Sequence, residues 1–209
     1  MGTVSRSGAR VARVGAGCLL LVGLVACARR SPEERAYVET LVHQRAAKDT
    51  EMQSASGPLL DAQRRRFQGL AYYRPRLDLV FDVPLEPSAR ADTVRFITSQ
   101  NTYDTFVRLG VFRFDYRGRP HALALFQSVD NGSLFLPFTD LTSGDTTYGA
   151  GRYLNPDPLQ DGHYRLDFNL AYNPYCAYNA RWICPIAPPE NHLDFRVEAG
   201  ERNFPYKEG

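Results

Sequence analysis

The sequence predicts a mainly β protein, an antiparallel sandwich or partly open barrel preceded by one or two N-terminal helices. Three observations carry this expectation. Apolar and polar residues alternate in several runs after residue 76, three-to-four spacing of apolar residues is confined to the chain before residue 70, and turn dipeptides punctuate the β-like runs at short intervals. With 209 residues and 44% hydrophobic content, the chain can bury one good core, and a second large domain would be cramped.

The first element is an export signal. Arg6, Arg10 and Arg13 precede the apolar run VGAGCLLLVGLVA, whose 13 residues fall short of the roughly 20 that span a bilayer. The run closes on LVAC, Leu24 to Cys27, which resembles the bacterial lipobox. Residues 1 to 26 are therefore expected to be removed and Cys27 to be acylated. Each buried CH₂ contributes about 0.8 kcal/mol, so several acyl chains hold a protein at a lipid bilayer. Cys18, inside the run, reads as a small hydrophobe. Arg29 stands two places after Cys27, which in a Gram-negative cell fits transfer to the outer membrane, facing the periplasm. Residues 27 to 31 make a short tether, and residues 32 to 209 are expected to form one domain. Loss of the three signal arginines turns the formal charge of +2 into −1. A nearly neutral domain offers little to a phosphate backbone, so nucleic acid is disfavoured as a partner.

Ser31-Pro32-Glu33-Glu34 is a capping box with proline at the first helical position and predicts a helix to about residue 50. Tyr37, Val38, Leu41 and Val42 supply its packing face. A second short helix is expected from Pro58 to Phe67, with Arg64, Arg65 and Arg66 on a solvated side. RLDLVFDV then places Leu77, Leu79, Phe81 and Val83 on one face of a strand, and TVRFITS continues as another after a Pro-bearing turn. FVRLGVFRFDY and HALALFQS flank RGRP as a hairpin, Asn131-Gly132 turns the chain into SLFLPF, and YRLDFN and LDFRVEAG supply the last strands.

Candidate chemistry gathers after residue 137. The segment from Pro137 to Leu154 is rich in Thr, Gly and Asp; such a loop can aim backbone N–H groups at an anion, with Arg152 holding it bidentately. The alternative is a turn in which Asp140 and Thr142 satisfy their own backbone and Arg152 pairs with a buried acid. GAGRYL lacks the third glycine of a dinucleotide fingerprint and no P-loop follows, so no cofactor is implied. In LDFNLAYNP, Asp167 and Asn169 share the face opposite Leu166, Phe168 and Leu170, and with Asn173, Arg152 and Glu190 they can line a polar pocket. Tyr148, Tyr153, Tyr172, Tyr175, Tyr178 and Trp182 suit ring stacking as well as core packing.

FLPFTDLTSGDTTYGAGRYL, LDFNLAYNPYCAYN and CPIAPPENHL, in this order, resemble the bacterial family called domain of unknown function 1684, and the resemblance covers most of residues 45 to 202. It implies that Asp140, Thr142, Gly144, Tyr148, Gly151, Arg152, Tyr153, Asp167, Asn169, Asn173, Cys176, Cys184, Glu190 and Asn191 match the family pattern; His192 stands where an arginine often follows. The resemblance brings no activity.

Cys176 and Cys184 are the thiols left once residues 1 to 26 are gone and Cys27 is acylated. In an oxidising envelope a disulfide between them would restrict the unfolded chain by roughly 2.5 kcal/mol. A reactive thiol with His192 or His163 as base, or metal ligation, are the other readings; the spacing is not that of a zinc knuckle, and no metal is assigned. The function expected from these residues is binding of a small polar or anionic ligand by Asp140, Thr142, Tyr148, Arg152, Asp167, Asn169, Asn173, Glu190 and Asn191. The alternatives are an enzyme, such as a hydrolase, with Asp140, Asp167 or Glu190 as general acid or base, and a structural envelope protein without a ligand.

Overall fold

The structure is a computed structural model that describes residues 1–3 and 30–206, apart from the side chain of residue 91. The chain divides into two units, Met1–Arg30 and Ser31–Gly209. The described residues of the first carry no helix or strand. The rest of the expected signal segment, Cys18, Cys27 and Arg29 lie outside the described residues.

Helix α1 runs Pro32–Gln53. Its capping box forms as expected: Ser31 Oγ accepts from the Glu34 N–H at 3.1 Å, and the Glu34 carboxylate accepts from the Ser31 N–H at 2.8 Å. The packing face is the expected one in part, with Leu41 buried and Tyr37 and Val38 half-buried. Val42 is exposed, and the inward stripe is Leu41, Arg45, Lys48 and Met52, spaced four, three and four apart, with its two apolar ends buried. Two cations therefore occupy the middle of the face that meets the β body. Helix α2, Asp61–Arg66, is short; buried Gln63 accepts from the Leu60 N–H and donates to the Tyr178 carbonyl.

The body is an antiparallel sheet curled into a half-barrel, which realises the partly open barrel of the sequence expectation. Its strands are β1 (Val80–Ile97), β2 (Tyr103–Tyr116), β3 (Arg119–Ser128), β4 (Leu134–Asp140), β5 (Arg152–Leu154), β6 (Asp157–Pro158) and β7 (His163–Asp167), in the order β5-β4-β3-β2-β1-β7-β6, while β8 (His192–Leu193) joins β4 in parallel. RLDLVFDV and TVRFITS are one strand rather than two. Leu77–Leu79 forms a 3-10 turn, and the Pro-bearing stretch is an irregularity between Pro87 and Asp92 inside β1. The first part of β1 pairs with β7 and the remainder with β2, so this strand carries the sheet around its bend. A matching register shift in β2 lies between Arg108 and Gly110. Glycine is required there: a Cβ on Gly110 would stand 2.2 Å from the Glu86 carbonyl oxygen. The RGRP hairpin turns through Arg117 and Gly118, both at positive φ.

Inside the curl, Leu79, Phe112, Leu123, Leu125, Leu136, Phe138, Leu166 and Phe168 form the main core, with an aromatic cluster of Phe96, Phe106, Phe126 and Phe135 beside it. The expected last strand LDFRVEAG is not one beyond Leu193. Its residues alternate in burial as a strand would, but the carbonyls of Val197, Ala199 and Glu201 accept from the guanidinium of Arg152 instead of from a neighbouring strand.

Candidate functional site

The residues that the sequence singles out are mostly occupied with one another. Arg152, only 1% exposed, donates through Nη2 to the Asp140 carboxylate at 2.7 Å and to the Val197 carbonyl at 2.8 Å, and through Nη1 to Ala199 and Glu201. Burial lowers its pKa against the charge of Asp140, which raises it. The other oxygen of Asp140 accepts from the N–H and hydroxyl of Thr142, whose hydroxyl meets that of Thr147 at 2.8 Å. The guanidinium thus carries its own carboxylate and three carbonyls, and it is not the open anion partner that the sequence led us to expect.

Asp167 and Asn169 do sit together at the end of a strand, Asp167 as the last residue of β7 and Asn169 in the 3-10 turn that follows it. Asp167 caps the 3-10 turn Phe168–Leu170 by accepting from the Asn169 N–H at 2.9 Å, and its second oxygen accepts from the Tyr37 hydroxyl at 2.7 Å. Asn169 exchanges two hydrogen bonds with the backbone of Arg76, as a β partner would. Asn191 does the same for Ala124 and adds the Pro137 carbonyl, which ties β3 to β4. Asn173 donates to the Arg202 carbonyl and its N–H to Glu201. Glu190 is exposed and pairs with Arg108 at 2.8 Å. Arg152, Asp167 and Glu190 share no partner, so these three do not build a common pocket.

Two adjoining hollows lie elsewhere. The larger is a groove of about 540 Å³ walled by Phe135, Tyr153, Tyr172, Tyr175 and Trp182, and bordered by Lys48 and Glu51 of α1. Of these walls, Phe135 and Tyr153 are buried members of the aromatic core cluster, whereas Tyr175 and Trp182 are exposed, Trp182 by 39%. Burial pushes the Tyr172 hydroxyl up to about 12 and Tyr153 higher still. The smaller hollow, about 160 Å³, is lined by Arg45, Lys48, Tyr72, Asn169 and Glu201 among others, and shares Lys48 and Tyr172 with the groove.

Its polar balance is unusual. Lys48 is paired with buried Glu201, which also accepts from the Asn173 N–H and the Tyr178 hydroxyl. Lys48 lies 4.8 Å from the Tyr172 ring centre and Arg45 4.4 Å from that of Tyr72. Arg45 donates to the Tyr73 and Asn169 carbonyls, yet its Nε is buried without a partner, and so is the Tyr72 hydroxyl. Burial lowers the pKa of Arg45 and raises that of Tyr72, the latter reinforced by the charge of Glu201. Two residues that line one hollow thus each hold a buried donor without a partner, and an unmade buried hydrogen bond costs roughly 1–3 kcal/mol.

Residues 65–202 match the family described as Protein of unknown function (DUF1684). The chain belongs to this family. The DUF1684 match takes in Tyr72, Tyr172, Trp182 and Glu201 but begins after α1, which brings Arg45 and Lys48. A solution structure of an uncharacterized protein from gene locus rrnAC0354 of Haloarcula marismortui is similar at 33% identity and a TM-score of 0.63, over 81% of this chain and 96% of that one. Among curated proteins nothing matches the chain.

Of the expected site residues, Asn169 alone lines the small hollow. Arg45, Lys48, Tyr72 and Glu201 escaped the sequence reading. A signal for two of them was present in the stripe Leu41, Arg45, Lys48, Met52, where cations hold positions that a helix packed on a body ordinarily gives to apolar residues. Cys176 and Cys184, expected as a disulfide candidate, are free thiols beside each other: the Cys176 N–H donates to Cys184 Sγ at 3.1 Å. The Tyr148 hydroxyl lies 3.6 Å from Cys176 Sγ. Among the described residues no group of three or more His, Cys, Asp or Glu is placed to hold a metal, and no helix is long and apolar enough to cross a membrane.

Proposed function

We propose that the protein is a lipid-anchored envelope protein whose β domain binds a small amphipathic anion, with an aromatic or apolar body in the groove and a carboxylate-like acceptor in the adjoining hollow. One observation carries the ligand class. Arg45 Nε and the Tyr72 hydroxyl are both donors, both buried and both unpaired in residues that line the hollow. An acceptor on a ligand satisfies them once these side chains turn into the hollow, and the nearby cations of Arg45 and Lys48 favour one that is charged. The groove volume lies within the roughly 300–1,000 Å³ usual for small-molecule sites, and its ring-lined wall offers stacking to a flat body.

Phenylacetate is a suitable probe, and titration followed by protein NMR is expected to move resonances of Tyr72, Tyr172 and Trp182 together. The neutral phenylacetamide should bind more weakly. Tyr72→Phe removes one donor without changing shape and is expected to raise the Kd for phenylacetate about tenfold, equivalent to ~1.4 kcal/mol. Equal affinity of wild type and variant, or equal affinity for acid and amide, would remove the hollow from the ligand reading.

The anchoring rests on LVAC and on the short apolar run before it. Cys27→Ser is expected to move the protein from the membrane fraction to the soluble fraction of a bacterial host and to abolish labelling by a palmitate analogue. Unchanged membrane retention in that variant would leave the groove reading intact and remove the anchor.

A further inference from the structure

The two thiols are held from different sides. Cys184 belongs to a segment fastened to the end of β1: its N–H donates to Ser99 Oγ at 3.2 Å, the Ser99 N–H donates back to its carbonyl at 2.9 Å, and Pro185 bridges to Thr98. Cys176 sits on the 3-10 turn Tyr175–Ala177, between the Tyr148 hydroxyl and Cys184. The pair is asymmetric in access. Cys184 is buried and walls the aromatic groove, whereas Cys176 is half-buried and opens on a separate hollow of about 300 Å³ beside Gln63 and Asn179.

We propose that Cys176 and Cys184 form a reversible thiol–disulfide exchange site in which Cys176 attacks a low-molecular-weight disulfide and Cys184 resolves the product. The Cys176 thiolate attacks one sulfur of the disulfide RSSR, forming a mixed disulfide and releasing RS⁻. Cys184 then gives its proton to the released thiolate and attacks Cys176 Sγ; the Cys176–SR bond breaks and a second RS⁻ leaves, taking up a proton from water. The protein loses two electrons and RSSR gains them, so the net change is a dithiol and RSSR becoming an intramolecular disulfide and two RSH. The roles follow from position: the attacking sulfur must meet a reagent in solution, and the resolving one has only to reach its neighbour. Protonation agrees. The hydrogen bond from Cys184, aided by those from Tyr148 and Ser99, holds Cys176 down at about 6 against the opposing effect of burial, while the shared proton and burial push Cys184 up.

Glutathione disulfide is the probe, applied to the full chain in detergent. Trypsin cuts after Arg181, between the two cysteines, so an intramolecular disulfide joins two peptides that otherwise separate. The joined pair is expected on treatment with glutathione disulfide and should disappear under excess reduced glutathione. Cys184→Ser should stall as a glutathione adduct on Cys176, whereas Cys176→Ser should form its adduct at least about tenfold more slowly. In the unsubstituted protein, iodoacetamide alkylation of Cys176 should rise with pH around a midpoint near 6, where an ordinary thiol titrates at about 8.5. Thiols that stay unmodified in the folded protein, a disulfide that resists excess reduced glutathione, or equal adduct rates at the two positions would each overturn the assignment. None of these readouts depends on phenylacetate or on the anchor.

Discussion

Arg152→Met is expected to lower the free energy of unfolding by about 3–5 kcal/mol, measured by urea denaturation of the folded domain. The charge removed matters less than what it leaves. Asp140 would remain as a buried carboxylate with only Thr142 to stabilise it, and the carbonyls of Val197, Ala199 and Glu201 would lose the donor that replaces a neighbouring strand. Because those carbonyls belong to the segment that ends at Glu201, the loss should spread to the wall of the small hollow. Adding Asp140→Leu to Arg152→Met is expected to recover part of the stability, since an apolar pair costs less than one unpaired ion. Glu190→Gln supplies the contrast. Its pair with Arg108 is solvent-exposed, and its removal should change stability by less than about 1 kcal/mol. A loss of under about 1 kcal/mol for Arg152→Met as well would mean that water replaces the guanidinium, and the account of the missing last strand would fall with it.

That missing strand marks where the sequence stopped being legible. The half-barrel could be read because alternation with period two is a local property, and Leu79, Phe112, Leu125 and Leu166 declare their burial residue by residue. The capping box at Ser31 is equally local. LDFRVEAG shows the same alternation, yet whether a strand forms depends on what its backbone meets, and here it meets a side chain from β5. The same reason explains the site. Asp140, Arg152, Asp167, Asn169 and Asn191 were conspicuous as polar residues in an apolar setting, and each is indeed buried. Polar residues attract attention for the same cause whether they serve a ligand or the chain's own backbone, and the distinction lies in partners distant along the chain, 130 residues away for Tyr37 and Asp167. Arg45 and Lys48 were overlooked because cations on a helix look solvated until the neighbouring Leu41 and Met52 are known to be buried.

Glu201 is where stability and binding pull in opposite directions, and it gives the sharpest separation of the structural account from the functional one. Glu201→Leu removes the acceptor used by Lys48, the Tyr178 hydroxyl and the Asn173 N–H at once, and is expected to cost about 3 kcal/mol or more in urea denaturation. Glu201→Gln keeps a carbonyl oxygen for part of that set, so its loss should be nearer 1 kcal/mol, with the fold retained. Its effect on ligand affinity has the other sign. In the native protein the Lys48 ammonium is neutralised by Glu201, and a bound anion must share it. With glutamine in place, the charge of Lys48 in the shared wall of the two hollows is uncompensated, and the Kd for phenylacetate should fall severalfold. A purely structural role for the cluster predicts weaker binding, or none, in the less stable variant. Lower stability with tighter phenylacetate binding requires that the ligand lie within reach of the Lys48 and Glu201 charges, so weaker binding by Glu201→Gln would remove that ion pair from the site.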